Sequence, residues 1–382
     1  MKQVYFDNAA TTAIREEVIT SMAEVMRNNY GNASSSHSFG RGSKSLLEKS
    51  RKSIASYLNV SAGEIFFTSG GTEADNLILR SAVRDLGVEE IITTKIEHHA
   101  VLNTLEQLQK EYNISVQFLK LEKDGSINPL YLESLLANSN KKQLVSLMHI
   151  NNEIGNKLDI KQVALMCKAN HALFHTDAVQ SVGHFKLDLQ DIQVDFLAAS
   201  AHKFHGPKGV GFAFVRKNSG LKPLIFGGEQ ERGLRAGTES IHNIVGLEVA
   251  LKMAYENLEN EIEFVKGLKH YFINKIKNDI PIVVFNGASD DLEKSTYTLV
   301  NVCLPVPPKK ASMMLFQLDL KGIACSKGSA CQSGSNQVSH VLYELLNEDE
   351  LQKPSIRFSF SIYNTREEID YVIDVLKEII TN

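Results

Sequence analysis

The sequence has few cysteines and no long apolar run. Four cysteines, Cys167, Cys303, Cys325 and Cys331, are spread over 382 residues. None form a C-x-x-C pair, so a disulfide scaffold, a zinc knuckle and a dithiol redox motif are all excluded, and a reduced, cytoplasmic setting is the simplest expectation. No stretch approaches the roughly 18 consecutive apolar residues of a membrane-spanning helix. Asp7, Arg15, Glu16 and Glu17 interrupt the N-terminus too early for a signal peptide. No excess of charge of either sign is present: 41 Lys and Arg against 45 Asp and Glu leave a net charge of −4. That balance offers no electrostatic reason for a nucleic-acid or acidic-membrane partner. Internal repeats and low-complexity tracts are absent as well.

What is present is ordinary globular composition, with 43% hydrophobic and 23% charged residues, enough apolar material for a core. Short β-branched runs occur at 64–70, 89–94, 115–121, 143–150, 172–178, 194–200 and 209–217, and several alternate with helix-like stretches at 72–84, 99–112 and 160–169. That alternation predicts an α/β fold with a mostly parallel sheet covered on both faces. A helical pattern from 240 to 278 is long enough for two helices or one bent one. Beyond it the character changes, with short strands at 283–285 and 297–304, an amphipathic stretch at 311–320 and a terminal helix at 365–380. The division expected is a large domain over 15–256 and a smaller α+β domain over 257–382 that takes in the N-terminal segment 1–14.

Three motifs carry chemistry. Ser69 to Asn76 reads SGGTEADN, a strand end turning into a helix. Glycines there let backbone amides approach an anion, Gly71 and Thr72 foremost, and Thr72 is placed to cap the helix or to donate to a phosphate. By itself such a turn is more often only a turn, and it is not a Walker loop. HTDAVQSVG puts Asp177 at a strand end with Gln180 three residues on. Asp177 reads either as a helix cap or as an anion for a cationic ring nitrogen in the crevice where open α/β sheets bind ligands. SAHKFHGPKG puts Lys203 just past a buried strand, between Ser200, His202 and Gly206. A lysine desolvated there is both nucleophile and base, whereas Lys208 reads as a solvated one. A phosphate cradle, an acid and an imine-forming lysine are together the parts of a pyridoxal phosphate site.

With these motifs, and with YFDNAATT (5–12), GNASSSHSFGR (31–41), EHHAVLNT (97–104), MHINNEIG (148–155), RAGTES (235–240), CSKGSACQSG (325–334) and SIRFS (355–359), almost the whole chain resembles the cysteine desulfurases of the class V aminotransferase group. The resemblance implies the fold-type I architecture of pyridoxal 5'-phosphate enzymes. It implies Lys203 as the Schiff-base lysine, Asp177 as the acid on the pyridine nitrogen, Gln180 as donor to the phenolic oxygen and His98 as the stacked imidazole. Gly71, Thr72, Ser200 and His202 match the phosphate ligands. Thr238 matches a threonine supplied by the neighbouring subunit of a homodimer. Asn152 and Arg357 match the holders of the substrate carboxylate, and the planar fork of Arg suits that task. Cys331, in the small-residue run KGSACQSGSN, matches the catalytic cysteine; Cys167 and Cys303, among apolar neighbours, read as structural.

The reaction implied takes sulfur from L-cysteine, leaving alanine and a persulfide on Cys331 that passes to an iron–sulfur scaffold or a sulfur-carrier protein. Cys331 as a ligand to a nascent cluster on such a scaffold is a further expectation. No resident metal is expected. Rival readings are a selenocysteine lyase, another class V enzyme such as an aminotransferase or a kynureninase-like hydrolase, and a non-enzymatic scaffold. Cys331 separates the first reading from the others.

Overall fold

A computed structural model describes residues 2–307, 311–328 and 339–381. Its centre is a seven-stranded sheet in the order β2-β8-β7-β6-β5-β3-β4. These strands are β2 (Ile65–Thr68), β3 (Glu90–Thr93), β4 (Ser115–Phe118), β5 (Gln143–Ser146), β6 (Leu173–Asp177), β7 (Phe196–Ser200) and β8 (Gly211–Val215). All seven expected runs are strands, and all neighbours are parallel except β8, which runs antiparallel to both β2 and β7. A hairpin-like return from β7 through the Lys203 turn explains this: a strand that follows its neighbour after so short a connection has no room for a crossover helix.

Both sheet faces are buried, as the near-continuous apolar strands require. Residues alternate between the faces with period two. Phe196 and Ala198 face a cluster with Ala74, Leu77 and Leu105, while Leu197 and Ala199 face one with Leu47, Ile54 and Leu247. The first cluster is roofed by α3 (Gly71–Leu86) and α4 (His99–Tyr112). The second is covered by α2 (Ser38–Tyr57), α6 (Ile160–Ala169) and α7 (Ile241–Glu256).

The long helical pattern resolves into two helices, α7 and α8 (Leu258–Asp279), broken at Asn257. They serve different cores. Leu247 and Leu251 of α7 join the large sheet, whereas Leu268, Phe272 and Ile276 of α8 pack with Val300, Phe358 and Leu376. That last cluster lies on a three-stranded antiparallel sheet in the order β12 (Ser355–Ser359), β10 (Leu299–Cys303), β9 (Val284–Phe285). The terminal helix Arg366–Thr381 covers it, and Phe6 from the N-terminal segment is buried in the same cluster. Strand β1 (Val4–Tyr5) pairs in parallel with β11 (Ile323–Ala324). Among the described residues, no helix is long and apolar enough to cross a membrane.

Candidate active site

The C-terminal ends of the parallel strands carry the chemistry-bearing side chains. β6 ends on Asp177, and β7 ends on Ser200, from which a single 3-10 turn, Ala201–Lys203, delivers the lysine. β2 ends on Thr68, just before the glycine turn that starts α3. These ends meet in one cavity of about 210 Å³ lined by Gly71, Thr72, His98, Asn152, Asp177, Gln180, Ser200, His202, Lys203 and Arg357, together with Ala9, Ala10 and Asp75. A larger cavity of about 620 Å³ opens around His149 and Phe185, but it holds none of the residues singled out from the sequence. Side-chain chemistry, not volume, therefore locates the site.

Lys203 Nζ donates to the carbonyls of Ala9 (2.6 Å) and Ala10 (2.8 Å), and Gln180 Nε2 donates to Ala9 as well (2.9 Å). The N-terminal turn thus folds over the lysine, a contact made by backbone atoms and so invisible to residue-type reasoning. Asp177 Oδ1 accepts the Val179 amide at 2.9 Å. Burial pushes the Asp177 carboxyl above its ordinary range, and the nearby His98 and Lys203 pull it back. His98 caps α4, its Nδ1 accepting the Ala100 amide at 3.1 Å, which leaves the ring proton on Nε2. Burial also lowers the His98 pKa.

The glycine turn departs from one expectation. Thr72 does not cap α3: the cap position is Gly70, and no side chain accepts from the first turn there. Gly70 has φ 153°, a conformation open to glycine and costly to other residues. With glycine as the cap, the first-turn amides keep no side-chain acceptor from the cap position, and Thr72 lines the cavity instead. Glu73 ties the turn down by accepting the Ser69 amide at 2.8 Å and pairing with Arg235 at 2.9 Å. Beside the turn, burial and the neighbouring Lys203 and Lys208 charges push the His202 pKa down to about 4. Its Nδ1 is buried and has no hydrogen-bond partner.

Arg357 enters from β12. It is 1% exposed, donating from one end to the Asn152 carbonyl (2.7 Å) and from the other to Asp7 Oδ1 (2.8 Å), with Nε unpartnered. Asp7 also accepts Ser326 Oγ at 2.8 Å. Sequence reasoning missed Asp7, although it stands in the quoted YFDNAATT. It also missed Glu97, which accepts the Met148 amide and is pushed up to about 8 by burial. The third omission is Asp75, whose signal was its position one turn beyond Thr72.

One expected residue is not in the cavity. Thr238 is exposed on this chain. Cys331 lies outside the described residues. The residues that bracket its segment do meet: Ser339 Oγ donates to the buried Glu153 carboxylate, and a Cβ on Gly328 would stand 2.8 Å from the same oxygen. Of the other cysteines, burial pushes the thiols of Cys167, Cys303 and Cys325 above their ordinary range, which makes them poor nucleophiles. Among the described residues, no group of His, Cys, Asp and Glu is arranged to hold a metal ion.

Comparison with known proteins is consistent with this geometry. The family model described as Aminotransferase class-V matches residues 4–372. The chain is 39% identical over 381 residues to a cysteine desulfurase IscS of Dictyoglomus turgidum, covering 99% of this chain and 95% of that protein. It is 39% identical to a putative cysteine desulfurase IscS 1 of Bacillus subtilis, covering 99% and 100%. Among solved structures, a NifS-like protein superposes with a TM-score of 0.90 at 34% identity, over 100% of both chains. A NifS-like protein from Rickettsia africae gives 0.88 at 30%, again over 100% of both.

Proposed function

This chain belongs to the class-V aminotransferase family, and on that premise we infer that it is a cysteine desulfurase. It takes sulfur from L-cysteine and leaves L-alanine and a persulfide on Cys331. The observation that carries the cofactor side of this reading is the convergence of Lys203, Asp177, His98 and Arg357 on one cavity; Cys331 in its small-residue run is what separates a desulfurase from the rival enzymes.

The residues present fit pyridoxal 5'-phosphate. A helix N-terminus with no side-chain cap, the Thr72 and Ser200 hydroxyls and the unpartnered His202 Nδ1 suit its phosphate. At Gly71 a Cβ would stand 2.5 Å from Val179 Cγ2, so only glycine leaves this wall of the cradle undisturbed. The buried Asp177 would hold its ring nitrogen, His98 would stack on the ring, Gln180 would donate to the phenolic oxygen and Lys203 would form the imine. Bound there, the cofactor supplies a sink for the electron pair left when the substrate Cα–H bond breaks.

The protein's own groups do the rest. Arg357, with the Asn152 side chain, fixes the substrate carboxylate. Asp177 would keep a proton on the ring nitrogen, and Lys203 Nζ would be the base that takes the substrate Cα proton. His98 Nε2–H is an acid within the same cavity. Cys331 thiolate bonds to the substrate sulfur as the Cβ–S bond breaks, and the carbon fragment, protonated, leaves as alanine. The persulfide then passes to a protein acceptor, an iron–sulfur scaffold or a sulfur carrier. Exposed Thr238 fits a second subunit that completes the phosphate site, and the two folding units divide near residue 257. A thiol that must stay free fits the cytoplasm.

Incubation with L-cysteine and a reductant tests the reading. Alanine and sulfide are expected in equal amounts, and Cys331→Ala should stop sulfide release while the cofactor's colour remains. Alanine without sulfide, or sulfide release by the Cys331 variant, contradicts it.

A further inference from the structure

The described residues on either side of Cys331 meet at one carboxylate, that of Glu153, which is 0% exposed. Ser339 Oγ accepts the Val341 amide at 3.1 Å and the Leu342 amide at 3.2 Å, so both of its lone pairs are taken. Its one proton goes to Glu153 Oε2. Gly328, on the other side of Cys331, lies against the same oxygen. A Cβ at Gly328 would stand 2.8 Å from Glu153 Oε2 and 3.2 Å from Ser339 Cβ. Only glycine lets the two flanks approach each other this closely.

Glu153 is itself fixed in place. Its amide donates to Asn151 Oδ1 at 2.9 Å, and its carbonyl accepts Asn301 Nδ2 from β10 at 2.9 Å. It directly follows Asn152, whose carbonyl accepts Arg357 at 2.7 Å. Ser326, two residues before Gly328, pairs with the Arg357 main chain: the Arg357 amide donates to the Ser326 carbonyl at 2.7 Å, and the Ser326 amide donates back at 3.3 Å. Both flanks are thus registered against the two residues that suit the substrate carboxylate. Covalent geometry adds a scale. Cys331 is three residues from Gly328 and eight from Ser339. At full extension the short arm spans about 11 Å and the long one about 29 Å. The place of Gly328 therefore limits where the thiol can go.

We propose that Glu153 is a positioning residue for the sulfur-transfer step. By taking the Ser339 proton against Gly328, it clasps the two flanks of Cys331 beside Asn152 and Arg357, and so sets the reach of the thiol to the substrate sulfur. This role rests on the desulfurase reading of Cys331. It has no part in Cα-proton removal, which belongs to Lys203 inside the cavity.

Single-turnover experiments on the cofactor-loaded enzyme separate the two steps. Rapid mixing with L-cysteine reads the Cα-proton step from the cofactor's visible band. Acid quench, alkylation and mass spectrometry read the persulfide on Cys331. In Ser339→Ala and in Glu153→Ala the band should change at the parental rate, while the persulfide forms about tenfold more slowly, because a reacting group misplaced by about 1 Å loses up to about a hundredfold. KM for L-cysteine in Ser339→Ala should stay at the parental value, since the carboxylate holders are untouched. The double variant should be no slower than the slower single one, because both remove the same contact. Gly328→Ala, which sets a methyl against the carboxylate, replaces Glu153→Ala if that protein does not fold. A parental persulfide rate, a proportional slowing of both steps, or single effects that multiply in the double variant would overturn the clasp. A wild-type protein that forms no persulfide on Cys331 overturns the desulfurase reading, and this role with it.

Discussion

Gly71→Ala isolates the packing of the phosphate turn. Gly71 is the first residue of α3 and does not need a left-handed backbone, so conformation alone favours alanine by about 0.5–1 kcal/mol. Sterics oppose it. The new Cβ would lie 2.5 Å from Val179 Cγ2, 3.8 Å from Val179 Cβ and 3.9 Å from Ser200 Cβ. The first of these is far inside the usual carbon contact distance of about 3.5–4 Å, and Val179, branched at Cβ, has few rotamers to escape into. Overpacking of this kind costs about 1–3 kcal/mol, so the clash wins and the variant should be less stable by about 1 kcal/mol. Its effect on the site should be larger, because the Val179 amide is the donor that holds Asp177. Cofactor affinity is expected to fall by about tenfold, the equivalent of 1.4 kcal/mol. Val179→Ala removes Cγ2, so in the double variant the Gly71→Ala deficit should shrink. Chemical unfolding and a titration of the cofactor's visible absorbance read both quantities. A Gly71→Ala protein as stable as the parent, or a deficit undiminished in the Val179→Ala background, would refute the steric account.

Arg357→Lys keeps the charge but gives up the fork that reaches Asn152 and Asp7 at once. Losing one charge-assisted bond of about 1.5–3 kcal/mol should lower kcat/KM for L-cysteine by about ten- to a hundredfold, chiefly through KM, and an unchanged KM in steady-state assays would count against the carboxylate role. His149 is buried, and burial pushes its pKa from the ordinary imidazole range down to about 4. The unfolded chain therefore takes up a proton that the folded one refuses, so this residue costs stability progressively as pH falls from about 6.5 to about 4 and nothing above that window. His149→Gln should flatten the stability–pH curve there by one proton, about 3 kcal/mol at most, in urea melts at stepped pH. A slope identical to the parent's would show that His149 titrates normally.

The legibility of the site followed the nature of its signals. Asp177, Lys203 and Ser200 were readable because each ends an apolar run, and the C-terminal edge of a parallel sheet is where such side chains converge. His98, Asn152 and Arg357 came only through family resemblance; nothing in their local pattern marks them. Of the two roles open to Thr72, cap and phosphate donor, the cap falls away, since Gly70 takes that position in a backbone conformation that other residues avoid. Asp7, Asp75 and Glu97 were missed because a lone carboxyl near an apolar stretch looks like any surface acid until its burial is known. The antiparallel return of β8 was likewise hidden, as strand periodicity reports which faces are buried but not which way the strand runs.

The sequence by itself determined the elements, the two-sided burial of the sheet and the order of cradle, acid and lysine, because these are written in local periodicity and in the residues at strand ends. It also marked Cys331 off from Cys167 and Cys303, which stand among apolar neighbours. Only the tertiary structure decided what those groups face. The Ala9 and Ala10 carbonyls on Lys203, the Asp7–Arg357 pair and the meeting of Asp75 with His175 join segments as much as 350 residues apart. Charge, protonation and reach at this site are properties of those encounters, since a carboxyl's behaviour is set by the burial and partners that folding gives it and not by its neighbours along the chain.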